Sequence, residues 1–165
     1  MMSRVDMAIA RVIGVEAGYV NDPQDPGGET KWGISKRSYP DLDIANLTWD
    51  QAKAIYLRDF WERIECDQLG APVDEFLFDY AVNSGAEHAA MALQTALGVP
   101  RDGDVGPRTL AAFRSTHPRE TLRRLFVDRA MTFAQAPALK HDGHGWYGRL
   151  FDKTELALNT LVKAT

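Results

Sequence analysis

The chain has 165 residues, 45% of them apolar and 25% charged, which is enough for one compact domain or two small ones around a real core. A net charge of −4 argues against a nucleic-acid binder, which needs a basic face to neutralise phosphates, and no run of about eighteen apolar residues is present to insert stably in a membrane. The single Cys66 excludes an intramolecular disulfide, and the scattered His88, His117, His141 and His144 predict neither a metal site nor a cofactor.

The first element is an amphipathic helix. Val5, Ala8, Ile9, Val12 and Ile13 repeat with helical spacing, and Ser3 with Asp6 reads as its capping box. Asp6 and the polar helix face leave no apolar core for a cleaved signal peptide, so the expectation is synthesis in the cytoplasm and assisted export. The helix cannot pass the run Gly18-Tyr19-Val20-Asn21-Asp22-Pro23-Gln24-Asp25-Pro26-Gly27-Gly28, with its two prolines and three glycines. Glu16 therefore falls at the junction, near a helix C-terminus. The helix dipole and the apolar face beside it both disfavour a negative charge there, which raises its pKa and suits it to general-acid work. Asp22, Asp25 and Glu29 follow it as candidates for a second carboxylate. Asp before Pro is also a common turn former, so Asp22 and Asp25 each have a purely local reading.

The stretch from Glu16 through Ala17-Gly18-Tyr19, the Asp-Pro repeat, Gly27-Gly28 and Thr30-Lys31-Trp32-Gly33-Ile34 to Ser35 resembles the signature and following loop of glycoside hydrolase family 108. These are N-acetylmuramidases found among phage endolysins and bacterial secretion muramidases. Ala17 departs from the pattern, standing where the family has a glycine; a methyl group is accommodated there at negative φ. The resemblance implies that Glu16 is the catalytic acid. The order Glu16, Asp25, Thr30 is also similar to that of phage-type lysozymes, which implies Asp25 as base or charge stabiliser and Thr30 as the group positioning water or sugar. Tyr19 and Trp32 flank this loop and are candidate sugar platforms, whereas Trp49, Tyr56 and Trp61, at helical spacing, read as core.

Further along, Thr48 to Gln51 forms a second capping box, opening a helix with Ala52, Ile55, Tyr56 and Phe60 on one face. Pro72, in a first turn, opens the next, with Val73, Phe76, Leu77, Tyr80, Ala81 and Ser84 as its stripe, Phe78 and Val82 opposite, and Gly85 as its end. Apolar nearly all round, it is expected at the centre of the fold. Asp79 and Asn83 are its polar exceptions; Asp79 reads as a satisfied buried group, and Asn83, near the helix end, as a candidate substrate contact.

Leu93-Gln94, Leu97-Gly98, Asp102-Gly103 and Gly106-Pro107-Arg108-Thr109 resemble the pattern of peptidoglycan-binding helical modules. Physically it is a helix stopped by Gly98, a tight turn, and a helix restarted by Pro107. Pro118 opens a helix bearing Leu122, Leu125, Phe126 and Phe133. A last one, after a glycine-containing loop around His141 and His144, carries Trp146, Leu150, Ala157, Leu158 and Leu161. Gly145-Trp146-Tyr147-Gly148-Arg149 is similar to the family's Gly-Trp-x-x-Arg and is expected to pack the last helix on the body.

The expectation is thus a mainly α, lysozyme-like monomer with one short β-hairpin at residues 20–36. Residues 1–85 form a catalytic muramidase half, and residues 86–165 a peptidoglycan-binding-like helical half packed against it. The expected reaction is hydrolysis of the β-1,4 bond between N-acetylmuramic acid and N-acetylglucosamine in peptidoglycan, with a holin or export system giving access to the wall. The alternatives are a lytic transglycosylase, which needs one Glu and no water-activating Asp, and a non-hydrolytic peptidoglycan-binding protein.

Overall fold

The computed structural model describes residues 3–14, 18–21 and 28–163. Its elements are α1 (Arg4–Ile13), β1 (Thr30–Lys31), β2 (Ile34–Ser35), α2 (Trp49–Tyr56), a π-helix (Leu57–Glu62), α3 (Cys66–Leu69), α4 (Val73–Ser84), α5 (Ala86–Leu97), α6 (Pro107–Ser115), α7 (Pro118–Gln135) and α8 (Leu139–Lys163). The fold is mainly α and lysozyme-like, with one two-stranded antiparallel hairpin among the described residues. The chain forms two compact units, Met1–Asp59 and Phe60–Thr165.

In the first unit both capping boxes form. Ser3 Oγ accepts from the Asp6 amide while the Asp6 carboxylate accepts from the Ser3 amide, and Thr48 and Gln51 do the same for α2. Ala8 and Ile9 are buried on the expected stripe, α1 packs on α2, and Lys53 Nζ reaches Asp6 at 3.1 Å. Ala52, Ile55 and Tyr56 are buried as expected, but the α-helix gives way to the π-helix at Leu57. A π-turn bonds i to i+5 instead of i to i+4, so the inward position after Tyr56 moves from Phe60 to Trp61. Phe60 is half-buried, and Trp61 is only 1% exposed.

The second unit is built around α4, whose side chains from Phe76 to Ala81 are all buried and which packs with α3, α5, α7 and α8. Pro72 is its N-cap, one position before the expected first turn, and Gly85, at φ +91°, ends it. Trp61 packs edge-on against Phe78 at 5.4 Å and donates its indole N–H to Asp67. The peptidoglycan-binding-like pattern is a hydrogen-bonded clasp. Gln94, almost fully buried, donates to Asp102 Oδ1 and to the Asp104 carbonyl (2.9 Å) and accepts from the Gly103 amide (3.0 Å). Gly98 caps α5 in the left-handed conformation and Pro107 opens α6, both as the sequence predicts.

Residues 139–148 depart from expectation. The anticipated loop around His141 and His144 is the start of α8. Helix propensity there is poor, with glycines at 143, 145 and 148, but packing overrides it. Gly143 is buried with Leu139 folded over it, so that a Cβ would come within 2.7 Å of Leu139 Cδ1. Trp146 and Tyr147 both pack on Phe133 of α7, and Tyr147 Oη donates to the Ala130 carbonyl.

Asp79, fully buried in α4, is satisfied by cations from two other helices. Arg129 Nη1 donates to Oδ2 at 2.8 Å, Arg149 donates through Nε and Nη2 to Oδ1 at 3.0 and 2.7 Å, and Lys153 Nζ lies 3.4 Å from Oδ1. Burial on its own would push the carboxyl pKa up. The Arg149 hydrogen bonds, followed by the charges of Arg129, Arg149 and Lys153, outweigh it and hold the pKa below the usual carboxylate range. Arg129 is itself sandwiched between the Tyr80 and Phe133 rings, 5.0 and 5.5 Å from their centres.

Two outcomes are expected. Asp79→Asn leaves buried cations without their anion and should cost about 3–5 kcal/mol in urea unfolding. Because the folded pKa is depressed, the ionised Asp79 contributes stability that is fully present above the unfolded value, about 3.9, and is lost as pH falls through the lower folded value. Acid melts of Asp79→Asn should therefore be flatter than those of the parent below about pH 4. An Asn variant as stable as the parent would show the cluster to be dispensable. Secondly, a fragment of residues 1–85 lacks α5, α7 and α8, which cover α4, and should show no cooperative transition by circular dichroism.

Candidate active site

The hairpin has two residues per strand, pairing Thr30 with Ser35 and Lys31 with Ile34 across a Trp32-Gly33 loop. Both loop residues have positive φ, +53° for Trp32 and +74° for Gly33, as a type I′ turn requires. For a bulky residue such as Trp that backbone is strained, and something must hold it. Three contacts do so. Tyr56 Oη donates to the Trp32 carbonyl at 3.1 Å, Trp32 Nε1 donates to the Leu47 carbonyl at 3.3 Å, and the Trp32 ring meets Trp49 edge-on at 5.3 Å. Gly33 has no alternative, since a Cβ there would lie 2.4 Å from Tyr56 Oη. Lys31 and Lys36 donate to the Ala45 and Leu42 carbonyls and so tie the hairpin to the following loop.

The hairpin in turn closes the base of the predicted catalytic loop. Val20 and Thr30 exchange two backbone hydrogen bonds of 2.8 Å, and Tyr19 Oη donates to Glu29 Oε1 at 3.1 Å. The chain is thus fastened on both sides of residues 22–27. Glu16 and Asp25, the predicted acid and second carboxylate, lie outside the described residues, as does Asp22. In the sequence Glu16 stands two positions after Gly14, the cap of α1.

The described candidates divide by task. Thr30 sits half-buried in β1 with Oγ1 donating to the Gly28 carbonyl at 3.3 Å, next to the loop it was predicted to serve. Tyr19 is 44% exposed, with a ring open to solvent on a hydroxyl anchored to Glu29. Trp32, half-buried, spends its indole N–H and part of its ring on holding the turn. Asn83 belongs to the second unit: exposed in the last turn of α4, it donates Nδ2 to the Asp79 carbonyl at 2.7 Å. It lines a hollow of about 240 Å³ together with Arg129, Phe133, Trp146 and Arg149. Sequence reasoning missed both arginines there. Arg149 had a signal in its Gly-Trp-x-x-Arg setting, whereas Arg129 had none. His141 and His144 are exposed on α8, and no three His, Cys, Asp or Glu side chains among the described residues are grouped to hold a metal ion.

Gly33→Ala should lower stability by roughly 1–3 kcal/mol, part from the positive φ and part from the clash with Tyr56. Adding Tyr56→Phe removes the clashing oxygen and should recover some of the loss but not the backbone part. Full recovery in thermal melts would mean that the turn carries no strain.

Comparison with known proteins agrees with this architecture. The family model described as Glycosyl hydrolase 108 matches residues 9–85, which run from the middle of α1 through the hairpin to the end of α4. Twelve chains of solved structures match. Among them, the structure of Brucella abortus SagA is 31% identical, covers 94% of this chain and 94% of its own, and superposes with a TM-score of 0.84. No curated protein matches the sequence. The likeness to SagA extends over both units, beyond the span of the family match, and the chain belongs to glycosyl hydrolase family 108, as a glycoside hydrolase acting on peptidoglycan.

Proposed function

We propose that the protein is an N-acetylmuramidase, hydrolysing the β-1,4 bond between N-acetylmuramic acid and N-acetylglucosamine, with Glu16 as general acid. The observation that carries this reading is the position of Glu16 within the family match, just beyond the glycine-capped end of α1 and ahead of a loop whose base is fastened by the Val20–Thr30 pair. A carboxyl group that follows a helix C-terminus meets the negative end of the dipole, which disfavours its charged form.

In this mechanism Glu16 gives its proton to the glycosidic oxygen as the bond to the anomeric carbon breaks. Asp25 stabilises the positive charge developing on the sugar or takes a proton from the attacking water, and Thr30 positions that water or the sugar. Where Asp25 takes the water's proton, it releases it to solvent and Glu16 is reprotonated from solvent; where Asp25 only stabilises charge, the Glu16 carboxylate takes the proton of the attacking water and is an acid again. Tyr19 offers an open ring for a sugar face and Asn83 a polar contact, while Trp32 contributes by holding the turn as much as by stacking. The chain acts as a monomer in the periplasm or wall, reached with a holin or export system, in an endolysin-like or secretion role. The Gln94 clasp favours a structural role for the peptidoglycan-binding-like pattern of residues 93–109, because it accounts for that pattern without a ligand.

Glu16→Gln should fold normally and lose wall digestion by about 10²–10⁴-fold, the range of general acid–base catalysis. Asp25→Asn should lose far more turnover than Asp22→Asn or Glu29→Gln. Mass analysis of fragments from purified peptidoglycan should find reducing muramic acid ends. Anhydro ends would identify a lytic transglycosylase instead, and the absence of fragments a binding protein. Parental digestion by Glu16→Gln would remove Glu16 from the mechanism.

A further inference from the structure

The hollow beside Asn83 is more cationic and more aromatic than support of α4 demands. Two guanidinium groups, Arg129 and Arg149, share the one carboxylate of Asp79, and the neighbouring Asp128 already accepts a 2.8 Å hydrogen bond from Tyr80 Oη. With Lys153 Nζ also 3.4 Å from Asp79 Oδ1, three cations meet at the one buried carboxylate of Asp79. Arg129 is 1% exposed, and its Nε is buried with no hydrogen-bond partner among the described residues, although an unpartnered buried donor is costly. Arg149 is different. Its side chain is 35% exposed, and its bonds to Asp79 use Nε and Nη2 and not Nη1. Phe133 and Trp146, with ring centres 5.4 Å apart and planes tilted by 38°, form one wall. Held charge at the floor, a half-exposed guanidinium and an aromatic wall are the elements of a site for an anion attached to an apolar surface.

We propose that this hollow is a subsite for a carboxylate-bearing part of peptidoglycan, with Arg149 binding the carboxylate and the Phe133–Trp146 wall covering the adjoining sugar or peptide. The inference rests on peptidoglycan being the substrate. Two sources carry that carboxylate: the lactyl group of muramic acid where the peptide has been removed, and the peptide stem where it is present, since the lactyl carboxyl is then an amide. Arg149 holds the ligand in place and takes no part in bond cleavage.

The test follows the Trp146 indole N–H signal by NMR in the intact chain during titration with three probes: N-acetylglucosaminyl-N-acetylmuramic acid, the same disaccharide carrying a peptide stem, and chitotetraose. At least one of the first two should shift Trp146, the first alone marking the lactyl source and the second alone the stem, and chitotetraose should not. Ala136 also lines the hollow. Ala136→Glu, which supplies an internal carboxylate, and Arg149→Lys, which keeps charge but not the planar fork, should each weaken the response by about tenfold. A Trp146 signal silent to both carboxylate probes, or moved equally by chitotetraose, overturns the proposal, as does unchanged affinity in both folded variants. Wall digestion by the parent, measured in parallel, keeps the readings apart. Digested walls with a silent Trp146 sink the subsite alone; intact walls with a responsive Trp146 sink the cleavage reading alone.

Discussion

The second unit depends on one buried carboxylate. Apolar packing around α4 is non-directional, and a helix covered in Phe, Leu, Tyr and Ala could rotate or slide against its neighbours at modest cost. Asp79 removes that freedom. Once desolvated it needs its cations in fixed geometry, and these come from Arg129 on α7 and Arg149 and Lys153 on α8. The two-pronged approach of Arg149 fixes orientation as well as distance. The aromatic layer follows from it: Arg129 lies between Tyr80 and Phe133, and Phe133 receives Trp146 and Tyr147, whose packing keeps the glycine-rich start of α8 helical.

The first unit meets a comparable demand with neutral groups. A hairpin of two residues per strand is marginal in isolation, and one with Trp at positive φ is worse than marginal. Tyr56, Leu47 and Trp49 supply the compensation. The predicted catalytic loop then departs from and returns to a base that is held on both sides, by the Val20–Thr30 bonds and the Tyr19–Glu29 contact. Positional error is costly to transition-state contacts, so the proposed site would gain from such a base.

Much of this was legible in the residues. Both capping boxes, Gly85, Gly98, Pro107 and Pro118 mark their helix ends by local chemistry, which acts over a few residues and is visible in the sequence. The family stretch pointed to the loop and its hairpin. What stayed hidden depends on partners distant along the chain. The π-helix that exchanges Phe60 for Trp61 has no sequence period of its own, and the helical start of α8 comes from contacts that outweigh three glycines. The turn-holding role of Trp32 was hidden too, because nothing local revealed that Tyr56 and Leu47 would claim its carbonyl and its indole N–H. Asp79 announced a buried polar group but not the identity of its partners, since an arginine 50 residues away, such as Arg129, carries no mark of its role.

The polar residues within apolar helices therefore separate by how fully the protein satisfies them. Gln94 donates and accepts inside the clasp, and Asp79 has both oxygens bonded; each is accounted for by folding, although each stands in a segment with a family-like pattern. A motif whose polar atoms are all used internally describes a scaffold. Recognition has to draw on groups the fold leaves with spare capacity, and in the second unit those are the half-exposed Arg149 guanidinium and the exposed Asn83 side chain at the rim of the same aromatic hollow.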